Sequence, residues 1–580
     1  MKFVCAYRVD GHPLTERDFA PFVRTLAHVP GTRIVYDGAF AAAAACIAED
    51  GARIAVGNVH MGHGRRLPAL LSALAGTNGS LAESCSRWMG DFGVVVYDRT
   101  RREVLAARDP FGVRSLFTAT VGDIVLFSSH LALLEAHVDS AYDPEYVADF
   151  LIEGGTRTCA TILRDVRVIA AGSSVVQRAS DVRLRTFWSP WDHAAQDEDP
   201  GREADDVSKF RELFREAVQF NLGSEGETWS QLSGGLDSSS IVCMAKELSG
   251  IAGTVTVYDD LCDADERVFV DAVTDHTGVA NVKLVGFAAW QGGDAPRTDV
   301  PSVLSSHHAM RARMETAVTS AGGRVLLSGA GSDHFLDGRP VFLADHLARG
   351  QVGAAVRGAF EFAVEERTSI WTVLGRCGAV PLLPASVQMR FLRTGDAFPR
   401  FLRGDFLRLT SANDRFRHAR AALGPAGRKF DGTMARKLAD LPSQIEMDRF
   451  EQVEQRYPFL YRPLVEHGLR TAARLRARPA QRKWILREAM RGSLPEVVRT
   501  RKSHGGLTAR TLWAMSNERA RWETWLRDPF VAQHGWVEPA LLRDEIDALV
   551  GGRSKELLPV LRVLALEEWF RARASKRFLA

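Results

Sequence analysis

Seven consecutive residues, Ser233-Gly234-Gly235-Leu236-Asp237-Ser238-Ser239, carry the densest chemical signal in this 580-residue chain. Two adjacent glycines let the backbone turn tightly and bring N–H groups close to an anion, and a helix that follows adds its positive N-terminal end. The loop therefore suits phosphate. It is not the G-x-x-x-x-G-K-[ST] phosphate loop, because no lysine follows. The phosphate charge must then be met by a metal on Asp237 or by lysines elsewhere. The bland reading is an ordinary glycine turn with Ser239 or Asp237 capping a helix, and for a bare S-G-G triplet that reading would win.

A strand before the loop and a helix after it must hold it in place. Residues 229–232 read as a strand, 238–248 as a helix with Ile241, Ala245 and Leu248 on one face, and 255–258 as a second strand. Further strands are read at 282–287 and 325–327. This β-α repetition predicts a parallel sheet covered by helices, with ligands at the carboxyl ends of its strands. From 341 onward the pattern is mainly helical, ending in a helix at 557–572. The first ~190 residues read instead as short extended segments separated by glycine and charged turns, with a hairpin from 93–97 through 98–102 into 104–107. Around 189–206 the chain is polar and acidic with Pro190 and Pro200 as breakers. The expected division is 1–190, a linker at 191–206, and 207–580.

Composition removes several classes of function. Lys+Arg at 74 against Asp+Glu at 71 leaves a formal net charge of +3, so no overall field draws the chain to nucleic acid. Hydrophobic residues at 46% and charged residues at 25% fit a chain that folds throughout. The most apolar stretch, 38–48, is mostly alanine and shorter than the roughly 20 residues of a membrane span. The first residues reach Arg8 and Asp10 before a signal peptide's apolar core could form, so the expected location is cytoplasmic. Seven scattered cysteines, none spaced C-x-x-C, fit reduced thiols.

The seven-residue loop resembles the S-G-G-x-D-S-S signature of the asparagine synthetase/β-lactam synthetase superfamily, whose members split ATP between the α and β phosphates to make an acyl-adenylate. Ser328-Gly329-Ala330-Gly331-Ser332-Asp333 is similar to the family's second glycine loop, and the resemblance implies Asp237 and Asp333 as Mg²⁺ ligands. It also implies that ATP lies against Leu232, Ser233, Gly234, Gly235, Asp237, Ser238, Ser239, Val257, Ser328, Gly329 and Gly331. Glu454-Gln455-Arg456-Tyr457-Pro458-Phe459-Leu460 is similar to the family's E-A-R-x-P-F-L segment, which makes Glu454 the implied acid/base. Lys483, in Lys483-Trp484-Ile485-Leu486-Arg487, resembles the K-x-x-L-R lysine that meets pyrophosphate. Lys502, in Arg501-Lys502-Ser503-His504-Gly505-Gly506, resembles the lysine at the reacting centre. A lone lysine is nearly always a solvated surface group; the order and spacing of these two after Pro458-Phe459-Leu460 raise the functional reading above that.

Met89-Gly90-Asp91-Phe92-Gly93, the stretch Arg108 to Arg114 and the stretch Phe127 to Leu134 look like segments of the family's glutaminase domain. The implied fold is thus α/β and α+β in two domains. The first is a β-rich αββα sandwich of the Ntn-hydrolase, glutaminase-like type; the second is a parallel-sheet synthetase domain with helical additions. Active glutaminase domains of this kind use a cysteine directly after the initiator methionine. Lys2 stands there, and Cys5 falls inside the expected first strand, where a thiol is packed rather than reactive. The family's N-G-E segment has no clear counterpart, so glutamine hydrolysis is not expected.

Without internal ammonia, the nucleophile is expected to be an amine of the substrate, as in two relatives: β-lactam synthetases and lasso peptide cyclases. At the position of Ala330, asparagine synthetases carry glutamate and β-lactam synthetases tyrosine; alanine transfers no proton and cannot orient Glu454. His334 could help, although a packed or solvated histidine is as good a reading. The long helical stretch 341–443 offers room to shape a pocket for a peptide. The expectation is therefore a lasso peptide cyclase acting on a leader-free core peptide with ATP and Mg²⁺. A leader peptidase and a leader-recognition protein are the implied partners, and no nucleic acid is. The alternatives are a β-lactam synthetase or other small-molecule amide ligase, an asparagine synthetase, and a non-catalytic nucleotide-binding scaffold.

Overall fold

In the computed structural model, which describes residues 2–26, 29–62, 67–75, 81–138, 141–155, 159–193, 202–224, 226–258, 266–286, 298–304, 307–384, 387–388, 398–421, 428–446, 452–479, 481–502 and 508–574, the chain forms two units. The first comprises Met1–Asp192 with Arg297–Pro301 and Ala439–Asp448; the second holds the remainder.

The first unit is built on strands β1 (Phe3–Arg8), β2 (Arg33–Asp37), β3 (Phe40–Ala44), β4 (Ile47–Glu49), β5 (Arg53–His60), β6 (Asp91–Asp98), β7 (Glu103–Arg108), β8 (Phe117–Val121), β9 (Ile124–Ser128), β10 (Val166–Val168), β11 (Ser173–Arg178) and β12 (Asp181–Thr186). They make two six-stranded antiparallel sheets, ordered β10-β8-β9-β1-β3-β2 and β12-β11-β7-β6-β5-β4. The sheets pack face to face: Phe3, Cys5, Tyr7 and Phe40 of one share a core with Ile54, Val56, Val95 and Tyr97 of the other. Phe40 stacks on Tyr97 with ring centroids 4.9 Å apart. The outer face of the second sheet is covered by helix Leu67–Ala75, through Leu67, Leu70 and Leu71. The alanine-rich stretch 38–48 supplies β3, every residue of which is buried between β1 and β2. The expected hairpin is β6–β7, its turn closed by Asp98 Oδ1, which accepts from the N–H groups of Thr100 (3.0 Å) and Arg101 (2.9 Å).

The second unit carries a parallel sheet of β13 (Thr228–Gln231), β14 (Gly253–Tyr258), β15 (Asn281–Val285), β16 (Val325–Leu327) and β17 (Glu454–Arg456), ordered β15-β14-β13-β16-β17. Four of these strands were legible in sequence. The fifth, Glu454-Gln455-Arg456, has no apolar alternation, and its extended form comes from pairing with β16. Buried Glu315 anchors its approach by accepting the Val453 N–H at 2.9 Å. Helix Glu203–Asn221 buries Phe210, Leu213, Phe214, Ala217 and Val218, a three-to-four-residue spacing that gives one apolar face; Phe214 stacks on Phe459 at 5.0 Å. Of the expected linker 191–206, residues 194–201 lie outside the described ones, and Glu203–Asp206 already form the first turn of this helix. Stretch 341–443 is mainly helical among its described residues, including Phe342–Ala348, Val352–Glu365 and Lys429–Glu446. Among the described residues no helix is long and apolar enough to cross a membrane.

Candidate active site

Two glycine loops leave the carboxyl ends of neighbouring strands. After β13, Leu232 is buried and uses both backbone polar groups: its N–H donates to the Val255 carbonyl at 3.0 Å and its C=O accepts from Thr256 Oγ1 at 2.7 Å. The Ser233 N–H donates to Ser238 Oγ (3.2 Å), and the two hydroxyls lie 3.0 Å apart, tying the loop across its own turn. Gly234 has φ +71, and a Cβ there would lie 2.9 Å from Phe269 Cβ and 3.0 Å from the Glu266 carbonyl. Helix Leu236–Glu247 starts from Gly235 with no side-chain cap, so the capping reading of Ser239 or Asp237 does not hold. Ser239 is wholly enclosed, and its Oγ has no hydrogen-bond partner among the described residues. Val257 lies half-buried near the carboxyl end of β14, in register with Leu284.

The second loop follows β16. The Ser328 N–H donates to the Arg456 carbonyl at 3.0 Å, and Ser328 Oγ accepts the Ala330 N–H at 3.4 Å. The two loops touch: a Cβ on Gly329 would lie 3.1 Å from the Ser238 nitrogen and 3.2 Å from Asp237 Cβ. Gly331, at φ +108, starts the single turn Ser332–Phe335 that presents Asp333, and a Cβ there would meet Leu460 Cδ2 at 2.7 Å. Only glycine fits both the angle and the contact.

Lys483 joins the loops. Its Nζ is 2.6 Å from Asp237 Oδ2, 2.7 Å from Asp333 Oδ1 and 3.0 Å from Ser332 Oγ, while the residue is almost fully buried. Its backbone is left-handed, φ 56 and ψ 42, a conformation that costs a non-glycine residue about 1–3 kcal/mol and persists where surrounding structure imposes it. The Lys483 N–H, bonded to the Arg476 carbonyl at 3.1 Å, is part of that constraint. Burial pushes the Asp333 carboxyl up, but the charge and hydrogen bond of Lys483, together with the charges of Arg482 and His334, outweigh it and hold the group below the ordinary aspartate value.

The donor set fits magnesium. Asp237 keeps Oδ1 buried and, among the described residues, without a hydrogen-bond partner, and an ammonium already stands between the two carboxylates as a cation. Magnesium is commonly held by one or two carboxylates, with substrate phosphates and water completing its shell.

Three placements differ from, or add to, the sequence reading. Glu454 is not brought into this cluster. It is the first residue of β17, in register with Val325, the first of β16, whereas the loops leave from the opposite ends of these strands. Its carboxylate is 3.1 Å from the Arg456 guanidinium, which donates to the carbonyls of Asn221 (3.0 Å) and Leu222 (2.8 Å). Lys502 is also apart, with its side chain 70% exposed and Nζ 3.6 Å from Glu365; Ser503-His504-Gly505-Gly506 lie outside the described residues. Lys437, in contrast, was not foreseen. Its Nζ donates to the carbonyls of Asp333 (2.9 Å) and Asp337 (2.5 Å), and burial, then the charge of Lys483, lower its pKa against the pull of Asp333. It lies mid-helix with no motif around it, so only the tertiary fold reveals it.

Comparison with known proteins agrees with this arrangement. The asparagine synthase family matches residues 209–571, and a glutamine amidotransferase domain matches residues 70–188. Asparagine synthetase [glutamine-hydrolyzing] 1 of Bacillus subtilis (strain 168) is 22% identical over 468 residues, covering 76% of this chain and 71% of that protein. Amidase chyE of Penicillium rubens is 24% identical over 291 residues, 45% of this chain and 42% of its own. Asparagine synthetase [glutamine-hydrolyzing] 3 of Bacillus subtilis (strain 168) is 30% identical over 159 residues, 27% of this chain and 25% of its own. With the family match running through more than half of its length and through both glycine loops, this chain belongs to the asparagine synthase family.

Proposed function

We propose that this member of the family is an ATP-dependent lasso peptide cyclase, an amide ligase that joins the N-terminal amine of a leader-free core peptide to an Asp or Glu side chain of the same peptide. The observation that carries the ATP-dependent part is the junction of Asp237, Asp333 and Lys483 between two touching glycine loops at the carboxyl ends of a parallel sheet. Supporting the choice of an internal amine, Cys5 is packed in β1 with its thiol pushed above its ordinary range by burial, and Ala330 brings no proton-transfer group to the second loop. In this reading residues 1–190 are a glutaminase-like domain without its nucleophile, 191–206 a linker and 207–580 the synthetase, working in the cytoplasm beside a leader peptidase and a leader-recognition protein.

A carboxylate is a poor acyl donor at neutral pH, so activation comes first. A carboxylate oxygen of the substrate attacks the α-phosphorus of ATP, the bond to the β-phosphate oxygen breaks, and pyrophosphate leaves. Asp237 and Asp333 would hold magnesium, which would supply charge neutralisation for the phosphates. Lys483 meets the negative charge gathering on pyrophosphate, and the amides of the two loops hold the phosphates in place. The amine then attacks the acyl carbon, the acyl C–O bond to the AMP phosphate breaks, AMP departs and the proton lost by nitrogen passes to water. Lys502 is assigned to the charge at the reacting centre. Glu454 keeps its proposed link to the acyl-adenylate step as a positioning residue: through Arg456 it fixes β17 and hence Leu460 beneath Gly331. Holding the peptide threaded through its forming ring is an alignment problem, and alignment can remove roughly 7–11 kcal/mol of a barrier.

Incubation of the purified protein with Mg·ATP and either a leader-free core peptide or a small β-amino acid tests this reading. A peptide product lighter by one water, with AMP and pyrophosphate released, is the expected result; AMP release with the small acid alone would reject the cyclase in favour of a β-lactam-type ligase.

A further inference from the structure

Lys483 stands in the position that the reading above gives to magnesium. Its ammonium, 2.6 Å from Asp237 Oδ2 and 2.7 Å from Asp333 Oδ1, already bridges both carboxylates. The backbone gives it little freedom: φ is 56 and ψ 42, its N–H is bonded to the Arg476 carbonyl, and it lies between the ribbon Ala477–Arg478/Gln481–Arg482 and helix Trp484–Ala489. The ammonium therefore changes place only by rotation about its own side-chain bonds. Ser332 Oγ, at 3.0 Å, holds it where it is.

Two carboxylates and the bridging ammonium sum to only −1, and Lys437, Arg482 and Arg487 add positive charge around them. A divalent ion arriving alone must either sit against the ammonium or drive it off both of its ion pairs while it stays buried, and a buried charge stripped of its partners is costly. A metal arriving on a triphosphate brings anionic oxygens to which the ammonium can turn. We propose that Lys483 is a built-in counter-cation that keeps free divalent metal off Asp237 and Asp333 until a nucleoside triphosphate offers it phosphate oxygens, so that metal and nucleotide enter together. This inference rests on the reading of the site as one for Mg·ATP.

Mn²⁺ is the probe, with unbound Mn²⁺ read by electron paramagnetic resonance in the presence of the full-length wild type and of Lys483→Met, Lys483→Gln and Lys483→Arg, each shown to be folded by circular dichroism. Without nucleotide, the two neutral variants are expected to bind Mn²⁺ at least about tenfold more tightly than the wild type, a factor equal to about 1.4 kcal/mol. The arginine variant, which keeps the charge, is expected to exclude it. With α,β-methylene-ATP present the wild type takes up Mn²⁺. Having two neutral variants keeps the test open if one fails to fold. Equal Mn²⁺ affinity in all four proteins without nucleotide, with uptake by the wild type in its presence, would overturn the counter-cation role and leave the nucleotide site standing. No uptake by the wild type even with nucleotide would overturn the nucleotide reading itself.

Discussion

Cys5 in the first unit and Lys483 in the second are both enclosed by the fold. Their surroundings separate them. Cys5 lies on β1 opposite Ala42 and Phe127, in a core of apolar side chains from two sheets, and burial alone pushes its thiol up. A thiolate is the reactive form of cysteine, so this environment keeps it inert. Lys483 lies between two carboxylates and a hydroxyl, with Asp237 Oδ2 at 2.6 Å, Asp333 Oδ1 at 2.7 Å and Ser332 Oγ at 3.0 Å from its Nζ. Burial by itself does not decide whether a titratable group can act; the charges within about 4–6 Å do. In the antiparallel unit the chain has filled the interior with small and aromatic apolar side chains. In the parallel unit the strand ends open into loops that collect charge.

The largest effect should fall on the charged cluster. Asp237→Asn removes one charge of the site and should lower AMP formation by about 10²–10³-fold, the cost typical of losing one preorganised electrostatic group. Cys5→Ala should leave AMP formation unchanged, because no reacting group is lost. Pyrophosphate release followed for both variants checks the contrast. A folded Cys5→Ala protein that forms no AMP would erase the distinction between the units.

Paired glycine substitutions sharpen it at the next scale. Gly57, on β5 of the first unit, would place a Cβ 2.5 Å from the Gly93 carbonyl, inside a sheet. Gly331 would place one 2.7 Å from Leu460 Cδ2 at φ +108. Each alanine should cost about 1–3 kcal/mol through overpacking or backbone strain. Gly57→Ala should spend that as a lower Tm with nucleotide affinity kept, whereas Gly331→Ala should also weaken ATP-analogue binding by displacing Asp333. Scanning calorimetry with and without the analogue separates the two, and equal loss of affinity in both would contradict the assignment.

How much of this was legible in sequence depends on whether the signal was local. The Ser233 loop announces itself because glycine, aspartate and serine must occupy adjacent positions, and the strands at 255–258 and 325–327 are short segments of Val, Leu, Thr and Tyr. β17 was missed because Glu454-Gln455-Arg456 becomes a strand only by pairing with β16, and that pairing sets Glu454 at the strand end away from the loops. Lys483 carried a weak motif, yet its left-handed backbone and its two carboxylate partners, 246 and 150 positions away, follow from tertiary placement. Lys437 carried no signal at all, since its contacts with the Asp333 and Asp337 carbonyls are set by the packing of one helix.

Titration gives the smallest effects and opposite signs for the two units. Because the Cys5 thiol is raised when folded, the folded protein holds a proton that the unfolded chain releases above about pH 8.5. Stability should therefore fall with rising pH there, by up to about 1.4 kcal/mol per pH unit for this group. Cys85 and Cys243, each pushed up to about 12 by burial, add limbs of the same sign, so the measurement is the difference between wild type and Cys5→Ala. Asp333 is depressed by Lys483, so its contribution is present above the ordinary carboxyl value of about 3.9 and is lost as pH falls through the lower folded value. With its side chain 63% exposed, solvent screens the pair and this limb should be the weaker of the two. The Tm gap between wild type and Asp333→Asn should then be constant near neutral pH and close on acidification. A gap that widens in acid would mean that Lys483 does not depress Asp333, and the contrast between a neutral buried thiol and a charged bridged carboxylate would fail.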